Sequence, residues 1–228
     1  MKSDPLIIAL DLESAAEARS LVQAIGPNAG FYKIGMELYA AAGMDFVREL
    51  IASGKKVFLD LKLYDIRETV RRTITQVARS GATFVTVHGS GAVMRAAVEG
   101  RASSPLKILA VTVLTSFDES DLRELGYECS VKELVGLRVR KGLECGMDGF
   151  IASALDAIAI RVQAGRQPIL VTPGVRSRGA GIGDQKRVAT PVEALRDGAD
   201  FLVIGRQVSR SQDPAAAVQA IRDEIAAR

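Results

Sequence analysis

The sequence predicts an α/β fold, a single (β/α)8-barrel domain over residues 1–228, and two observations carry this prediction. Eight short apolar runs, rich in β-branched residues, cover residues 6–11, 31–35, 57–63, 84–89, 107–114, 149–153, 168–174 and 201–205. Stretches with helical periodicity lie between them, at residues 13–25, 36–52, 66–80 and 131–145, and a further one follows the last run at residues 213–227. Alternating strands and helices indicate a parallel sheet, and eight such units favour closure into a barrel. A doubly wound open sheet is the alternative, but no Gly-x-Gly-x-x-Gly follows the first run.

Two intervals between the apolar runs are longer than the rest. Residues 115–130 are polar and predict a short extra helix. Residues 175–189 contain three glycines and four basic residues, which predicts a cationic loop. Long loops in compact domains are usually functional lids or disordered segments, and both alternatives stay open here.

The composition excludes several classes of protein. Hydrophobic residues make up 48% of the chain, which is too many for a disordered protein. The formal net charge is only +3, aromatic residues are 5% and there is no Trp, so no nucleic-acid-binding surface is expected. No uncharged apolar run reaches membrane-spanning length, and no signal-peptide pattern precedes the first strand. Cys129 and Cys145 form neither a disulfide framework nor a metal-ligand spacing, which predicts a cytoplasmic protein with reduced thiols.

The most informative stretch is the end of the third apolar run, Asp60-Leu61-Lys62-Leu63-Tyr64-Asp65. Side chains alternate along a strand, so Asp60 and Lys62 share one face. Two opposite charges in an apolar strand are costly unless each has partners, and a structural ion pair is the simplest interpretation. Asp65 lies where the strand gives way to a helix. It is a candidate helix N-cap, with Glu68 completing a capping-box-like pair, and this does not exclude a second role.

The C-terminal ends of the strands carry the candidate site residues, because barrel chemistry is located at that end. In chain order they are Asp11, Lys33, Asp60, Lys62, Asp65, His88, Thr115, Ser116, Pro173, Arg176, Gly205 and Arg206. Charged residues at the same end of three successive strands are not explained by surface solvation. His88, the single histidine, is a candidate general base, although a packing role on the fourth strand is favoured.

The ends of the seventh and eighth strands predict a phosphate site. Barrels of this class often bind phosphate there through backbone N–H groups and a helix N-terminus. Gly205 lets the backbone approach a ligand closely, and Arg206 can hold two phosphate oxygens at once.

The strand ends contain a set of short motifs that are specific in combination. The most specific is Asp60-x-Lys62-x-x-Asp65-Ile66 followed by Thr69. The supporting motifs are Ala9-Leu10-Asp11, Lys33-Ile34-Gly35, Thr172-Pro173-Gly174-Val175-Arg176, Asp184-Gln185-Lys186-Arg187 and Gly205-Arg206. With these motifs the chain resembles, over essentially its whole length, the orotidine 5′-phosphate decarboxylase family.

The resemblance implies a homodimeric (β/α)8 barrel that converts orotidine 5′-monophosphate (OMP) to uridine 5′-monophosphate (UMP) without a metal or an organic cofactor. It makes Lys62 the proton donor to C6 of the pyrimidine, with Asp60 near the departing carboxylate and Lys33 ordering the charges. It has Asp65, Ile66 and Thr69 presented to the neighbouring subunit's site. The remaining expected substrate contacts are Asp11 to the ribose, Thr115 or Ser116 to the pyrimidine or ribose, and Pro173, Arg176, Gln185, Gly205 and Arg206 around the phosphate and its loop.

Two other functions compete with this one. Metal-dependent relatives on the same barrel, such as 3-keto-gulonate 6-phosphate decarboxylase, share an Asp-x-Lys-x-x-Asp run but place an acid where this chain has Lys33. A lysine at that position repels a divalent cation. A non-catalytic phosphate-binding or scaffold protein is the second alternative, but it gains nothing from several desolvated charges.

Overall fold

Eight parallel strands close into a barrel in the computed structural model, which describes residues 4–177 and 189–227. The strands are β1 (Leu6–Ala9), β2 (Phe31–Gly35), β3 (Lys56–Leu63), β4 (Phe84–His88), β5 (Lys107–Val111), β6 (Gly149–Ile151), β7 (Ile169–Thr172) and β8 (Phe201–Ile204). Each strand pairs with the next in the sequence, and β8 pairs with β1 through registers such as Leu6 with Leu202 and Ile8 with Ile204. The predicted (β/α)8 barrel is confirmed, and the open doubly wound sheet is wrong.

Helices connect the strands on the outside of the barrel. They are α1 (Ala15–Ile25), α2 (Met36–Ala52), α3 (Arg67–Ser80), α4 (Gly91–Arg101), α5 (Glu119–Glu124), α6 (Val131–Cys145), α7 (Ala157–Ala164), α8 (Pro191–Asp197), α9 (Arg206–Ser209) and α10 (Pro214–Ala226). Short 3₁₀ helices cover Gly26–Asn28 and Ala154–Asp156. The short extra helix expected within residues 115–130 is α5, which begins with a capping box between Asp118 and Asp121.

The helices form where apolar residues recur on one face. In α3 the buried residues Val70, Ile74 and Val77 follow helical spacing and face the sheet. The helix ends at Gly81, whose φ of 84° places it in the left-handed region that glycine tolerates. The predicted helix 36–52 has the expected bounds, but Gly43 (φ 63°, ψ −164°) interrupts its helical geometry.

Among the residues that the structure describes, the core consists of two apolar clusters. The larger one lies between the strands and the helices, whereas the smaller one fills the inside of the barrel. Inside the barrel, Phe31, Phe58, Phe84 and Phe201 pack edge to face, with ring centroids 5.1 to 5.9 Å apart. Phe31, Phe84 and Phe201 are the first residues of β2, β4 and β8, so this aromatic floor closes the N-terminal end of the barrel. The C-terminal end is left for polar groups.

Several strands are shorter than their apolar runs predict. β1 ends at Ala9 rather than at residue 11, β5 at Val111 rather than at 114, and β7 at Thr172 rather than at 174. In each case the end of the run lines the open end of the barrel, through Asp11, Leu114 and Pro173 respectively. None of the helices within residues 4–177 and 189–227 has both the length and the apolar character needed to span a bilayer.

Candidate active site

A cavity of about 850 Å3 opens at the C-terminal end of the barrel. This volume lies in the range of about 300–1,000 Å3 that is typical of small-molecule sites. The residues predicted from the strand ends that line it are Asp11, Lys33, Asp60, Lys62, Thr115, Ser116, Pro173, Arg176, Gly205 and Arg206. A separate depression of about 720 Å3 lies against the outer face of α6, away from the strand ends.

Four of these side chains form a row of alternating charge across the first three strands. The Lys33 ammonium lies 2.7 Å from Asp11 Oδ1 and 3.7 Å from Asp60 Oδ2. The Lys62 ammonium lies 3.0 Å from Asp60 Oδ1. The order Asp11, Lys33, Asp60, Lys62 therefore alternates negative and positive, and each inner member has an opposite charge on both sides. We call these four residues the charge array.

The inner members of the charge array are largely withdrawn from water. The side chains of Lys33 and Asp60 are 10% and 14% exposed, whereas Lys62 is 31% and Asp11 is 55% exposed. Desolvated charges require paired partners, which the row supplies. Gly35 also leaves room for the Asp11–Lys33 ion pair, because a Cβ added there would lie only 3.0 Å from Asp11 Oδ1 and 3.1 Å from Lys33 Nζ.

The backbone of β3 departs from regular geometry at Lys62. Lys62 has a φ of 47°, one of two non-glycine residues with positive φ among those the structure describes. The register between β3 and β4 shifts between Leu59 and Leu63. The Lys62 N–H donates to Thr86 Oγ1 at 2.9 Å, and the Thr86 hydroxyl donates to Asp60 Oδ1 at 3.0 Å. Thr86 is completely buried.

Asp65, Ile66 and Thr69 do not line this cavity. Asp65 and Ile66 are exposed, and among the residues described Asp65 makes no ion pair. Its Oδ1 accepts a hydrogen bond from the N–H of Ile66 at 2.6 Å. The expectation that Asp65 is the N-cap of α3 is wrong, because Ile66 occupies that position without a side-chain cap. Glu68 instead pairs with Arg71 and Arg72 on the same helix.

Arginine side chains occupy the β7 and β8 side of the cavity. Arg176 is 9% exposed, and its backbone N–H donates to the carbonyl of Ala189 at 3.0 Å. Arg206 begins α9, and Gly205 precedes it on the cavity wall. Within the described part of the chain, a Cβ added at Gly205 would meet only the Cβ of Ala9, at 3.7 Å, so the space beside Gly205 is open. Gln185 and most of the predicted loop 175–189 lie outside the described residues.

The segment after β5 contributes both of its predicted candidates. Thr115 is 9% exposed and Ser116 is half-buried, and both line the cavity. The geometry therefore keeps Thr115 and Ser116 as alternatives.

His88 lies beside the cavity without lining it. Its ring packs against Tyr64 at a centroid distance of 4.6 Å. Burial lowers the pKa of His88 below its usual value, and the positive charge of Arg138 lowers it further. A neutral, packed imidazole fits the packing interpretation better than the general-base interpretation.

Several cavity residues were not predicted from the sequence. The rim also contains Glu13, Glu17, Glu37, Ser209 and Arg210. Thr86 touches two members of the charge array and was missed as well. The sequence does contain a sign that Thr86 belongs to the site. It is a polar residue within the apolar run of β4, and because it lies two residues after Phe84 its side chain faces the inside of the barrel.

No group of three or more His, Cys, Asp or Glu side chains in residues 4–177 and 189–227 is arranged to hold a metal ion. The predicted independence from metals and cofactors stays a prediction.

The fold and the site together define a class of (β/α)8-barrel protein that has a ligand-sized cavity and alternating charges at the C-terminal strand ends. The chain belongs to the orotidine 5′-phosphate decarboxylase / HUMPS family, whose model matches residues 4–221. The predicted family resemblance is thereby confirmed.

Individual relatives agree with the family assignment. The chain is 51% identical over 223 residues to an orotidine 5′-phosphate decarboxylase of Nitrobacter winogradskyi, covering 98% of this chain and 93% of the relative. It is 50% identical over 222 residues to a protein of the same name from Rhodopseudomonas palustris, covering 97% and 94%. Among solved structures, the orotidine 5′-phosphate decarboxylase of Lactobacillus acidophilus superposes with a TM-score of 0.86 at 34% identity, covering 97% of this chain and 98% of that chain.

Proposed function

We propose that this protein decarboxylates OMP to UMP, a carboxy-lyase reaction of pyrimidine biosynthesis. The single observation that carries the proposal is the charge array at the base of the cavity, which ends in the Lys62 ammonium 3.0 Å from Asp60. The names of relatives at about half identity over nearly the whole chain support the same substrate.

The chemistry of OMP requires a fixed positive charge beside C6. When the C6–carboxylate bond breaks, CO2 departs and the electron pair stays on C6, where no adjacent carbonyl delocalises it fully. An ammonium held at this position stabilises the developing negative charge in the transition state. We assign this role to Lys62, which then transfers a proton from Nζ to C6 and is reprotonated from solvent.

Asp60 holds the Lys62 ammonium through their ion pair, and Lys33 and Asp11 continue the row behind Asp60. Asp60 lies next to Lys62 and is assigned to the neighbourhood of the departing carboxylate. Lys33 joins Asp60 to Asp11, at 3.7 and 2.7 Å, and is assigned to ordering both carboxylates. Asp11 is more exposed and is assigned to the ribose. Thr115 or Ser116 supplies the contact to the pyrimidine or ribose.

We assign the phosphate to the opposite side of the cavity, with Pro173, Arg176, Gly205 and Arg206. Arg206 and Arg176 supply the positive charge, and the space that the described residues leave beside Gly205 admits a ligand close to the backbone. Gln185, outside the described residues, belongs to this proposal through the family resemblance. Phosphate binding energy is proposed to close loop 175–189 over the substrate, because remote binding energy can drive closure and expel water.

We propose a homodimer in which Asp65, Ile66 and Thr69 complete the neighbouring subunit's site. Tyr64 and Ile66 are 67% and 72% exposed next to the cavity, which is an unusual position for large apolar side chains unless another surface covers them. A single-domain chain, a cytoplasmic location and independence from cofactors are parts of the same proposal.

Two observations weigh on the alternatives. A divalent cation is disfavoured at the position of Lys33, because its ammonium already pairs with Asp11 and Asp60. Burying the charges of Lys33 and Asp60 costs desolvation free energy, and a scaffold protein would have no use for them that offsets this cost.

The direct test is an ultraviolet assay of OMP consumption by the purified protein, with and without EDTA. We expect turnover to UMP that EDTA does not change. Inactivation by EDTA would support the metal-dependent alternative, and a folded protein without any OMP turnover would support the scaffold.

A further inference from the structure

We infer that Thr86 is a positioning residue for the charge array, an inference that rests on the proposed function. Its hydroxyl binds both residues of the Asp60–Lys62 pair, from a neighbouring strand. No part of the family resemblance assigns it a role.

The Thr86 hydroxyl uses both of its hydrogen-bonding capacities. It accepts from the backbone N–H of Lys62 at 2.9 Å and donates to Asp60 Oδ1 at 3.0 Å. Asp60 Oδ1 is the same atom that lies 3.0 Å from the Lys62 ammonium. One buried hydroxyl therefore holds two groups in place. These are the backbone of Lys62 and the Asp60 carboxylate that pairs with the Lys62 ammonium.

The backbone at Lys62 needs such an anchor. Leu59 pairs with Val85 and Leu63 pairs with Val87, so β3 uses more residues than β4 over this interval. The excess is a bulge, which leaves backbone groups without their ladder partners. Lys62 takes a left-handed φ of 47°, which a side chain with a Cβ rarely adopts and which costs free energy. The bond to Thr86 Oγ1 replaces the missing ladder bond of the Lys62 N–H.

The hydroxyl of Thr86 makes both bonds from a single atom. A threonine hydroxyl is at once a donor and an acceptor, whereas valine has the same shape and neither capacity. Thr86 is completely buried, so water does not readily take the place of a lost hydroxyl. Serine keeps the hydroxyl and loses only a methyl group.

The test compares Thr86→Val with Thr86→Ser in steady-state kinetics on OMP. We expect Thr86→Val to lower kcat by roughly 10- to 100-fold, since misplacing a reacting group by about 1 Å can cost about 100-fold. The KM should change by less than about threefold, because Thr86 does not line the cavity. Thr86→Ser should keep kcat within about threefold of the wild type.

Thr112→Val is the matched control. Thr112 is also completely buried on the barrel wall, and its hydroxyl donates to the carbonyl of Ile151 at 2.9 Å, away from the charge array. This variant should lose a similar amount of thermal stability and keep its kcat. A wild-type kcat in Thr86→Val, or equal losses in Thr86→Val and Thr86→Ser, would overturn the inference.

Hydrogen exchange at the Lys62 amide provides a measurement that does not depend on activity. We expect Thr86→Val to lose protection at this amide, and Thr112→Val to keep it. Unchanged protection in Thr86→Val would contradict the inference even in an active enzyme. A wild-type protein without OMP turnover would contradict the proposed function, while the exchange result would still decide the role of Thr86.

Discussion

Lys62 lies where β3 stops following regular strand geometry. Its φ of 47° and its hydrogen bond to Thr86 hold the side chain beside Asp60 instead of leaving it to the alternation of the strand. Backbone strain of this kind is most often found at functional sites, where the surrounding structure fixes it. Lys33 continues the row to Asp11, so each charge is positioned by the next.

Arg206 tests the proposed phosphate site at the residue scale. We expect Arg206→Ala to lower kcat/KM for OMP by at least about 100-fold, or about 2.7 kcal/mol, because binding energy from the phosphate is used at the reacting carbon. Arg48→Ala is the control, since Arg48 forms an exposed ion pair with Asp45 on α2, and such pairs contribute about 0–1 kcal/mol. Equal, few-fold effects of the two substitutions would argue against phosphate binding by Arg206.

His88 links the site to the pH dependence of stability. Burial lowers the pKa of His88 in the folded state, whereas the unfolded chain titrates near the usual value of about 6.5. As the pH falls below about 6.5, the unfolded state binds the proton first, so the folded state loses stability. We expect the melting temperature of the wild type to fall more steeply from pH 7 to pH 5 than that of His88→Phe, which keeps a ring against Tyr64.

The single histidine also permits a direct measurement, because its imidazole resonances in an NMR titration are unambiguous. A midpoint at or above 6.5 would contradict the assignment of His88 as a neutral packing residue.

At the scale of elements, the barrel has two different ends. Phenylalanine rings fill the N-terminal end, and charged residues follow the strands at the C-terminal end. Phe58 belongs to the aromatic floor and also lines the cavity, so the floor directly supports the charge array on β3. The rigidity of the site therefore depends on packing below it.

Phe84 tests this support. Its ring lies 5.1, 5.9 and 5.4 Å from those of Phe31, Phe58 and Phe201, and the residue is 4% exposed. We expect Phe84→Ala to lower the free energy of unfolding by about 3–5 kcal/mol, because it leaves a cavity in the floor. Phe84→Leu should lower the free energy of unfolding by clearly less, and urea unfolding measures both variants. A loss below about 1 kcal/mol in Phe84→Ala would show that the floor is not tightly packed.

The sequence predicts the elements well and their ends less well. Apolar runs determine where the strands lie, because parallel strands are buried on both faces. The runs do not reveal where the ladder stops, since residues such as Asp11 and Pro173 leave it to line the cavity. Alternation predicts that Asp60 and Lys62 lie together, as they do, but it gives no sign of the bulge or of the φ of 47° through which Lys62 reaches this position. Thr86 could be recognised only from its phase in β4, and the role of Asp65 cannot be predicted from local capping rules.

At the scale of the whole molecule, the cavity of one chain does not include Asp65, Ile66 or Thr69. Ile66 and Tyr64 present large exposed apolar surfaces beside it. A second copy of the chain would cover this surface and bring the carboxylate of Asp65 to a neighbouring cavity, as the proposed homodimer requires.

Subunit mixing tests whether the site is shared. Lys62→Ala and Asp65→Ala should each be inactive alone, because each removes a proposed part of every site. After unfolding and refolding of an equal mixture, roughly a quarter of the wild-type activity should return, since about half of the dimers are mixed and each contains one intact site. No recovery, with subunit exchange confirmed by mass spectrometry, would count against a shared site.

The turnover of Lys62→Ala on OMP is the measurement that tests the central claim most directly. Lys107→Ala is the matched control, because Lys107 pairs with Asp148 at 3.1 Å at the opposite, N-terminal end of β5. If the ammonium of Lys62 both stabilises the charge at C6 and protonates it, kcat should fall by at least about 10⁴-fold in Lys62→Ala and stay unchanged in Lys107→Ala. A Lys62→Ala enzyme that decarboxylates OMP at near the wild-type rate would contradict the account.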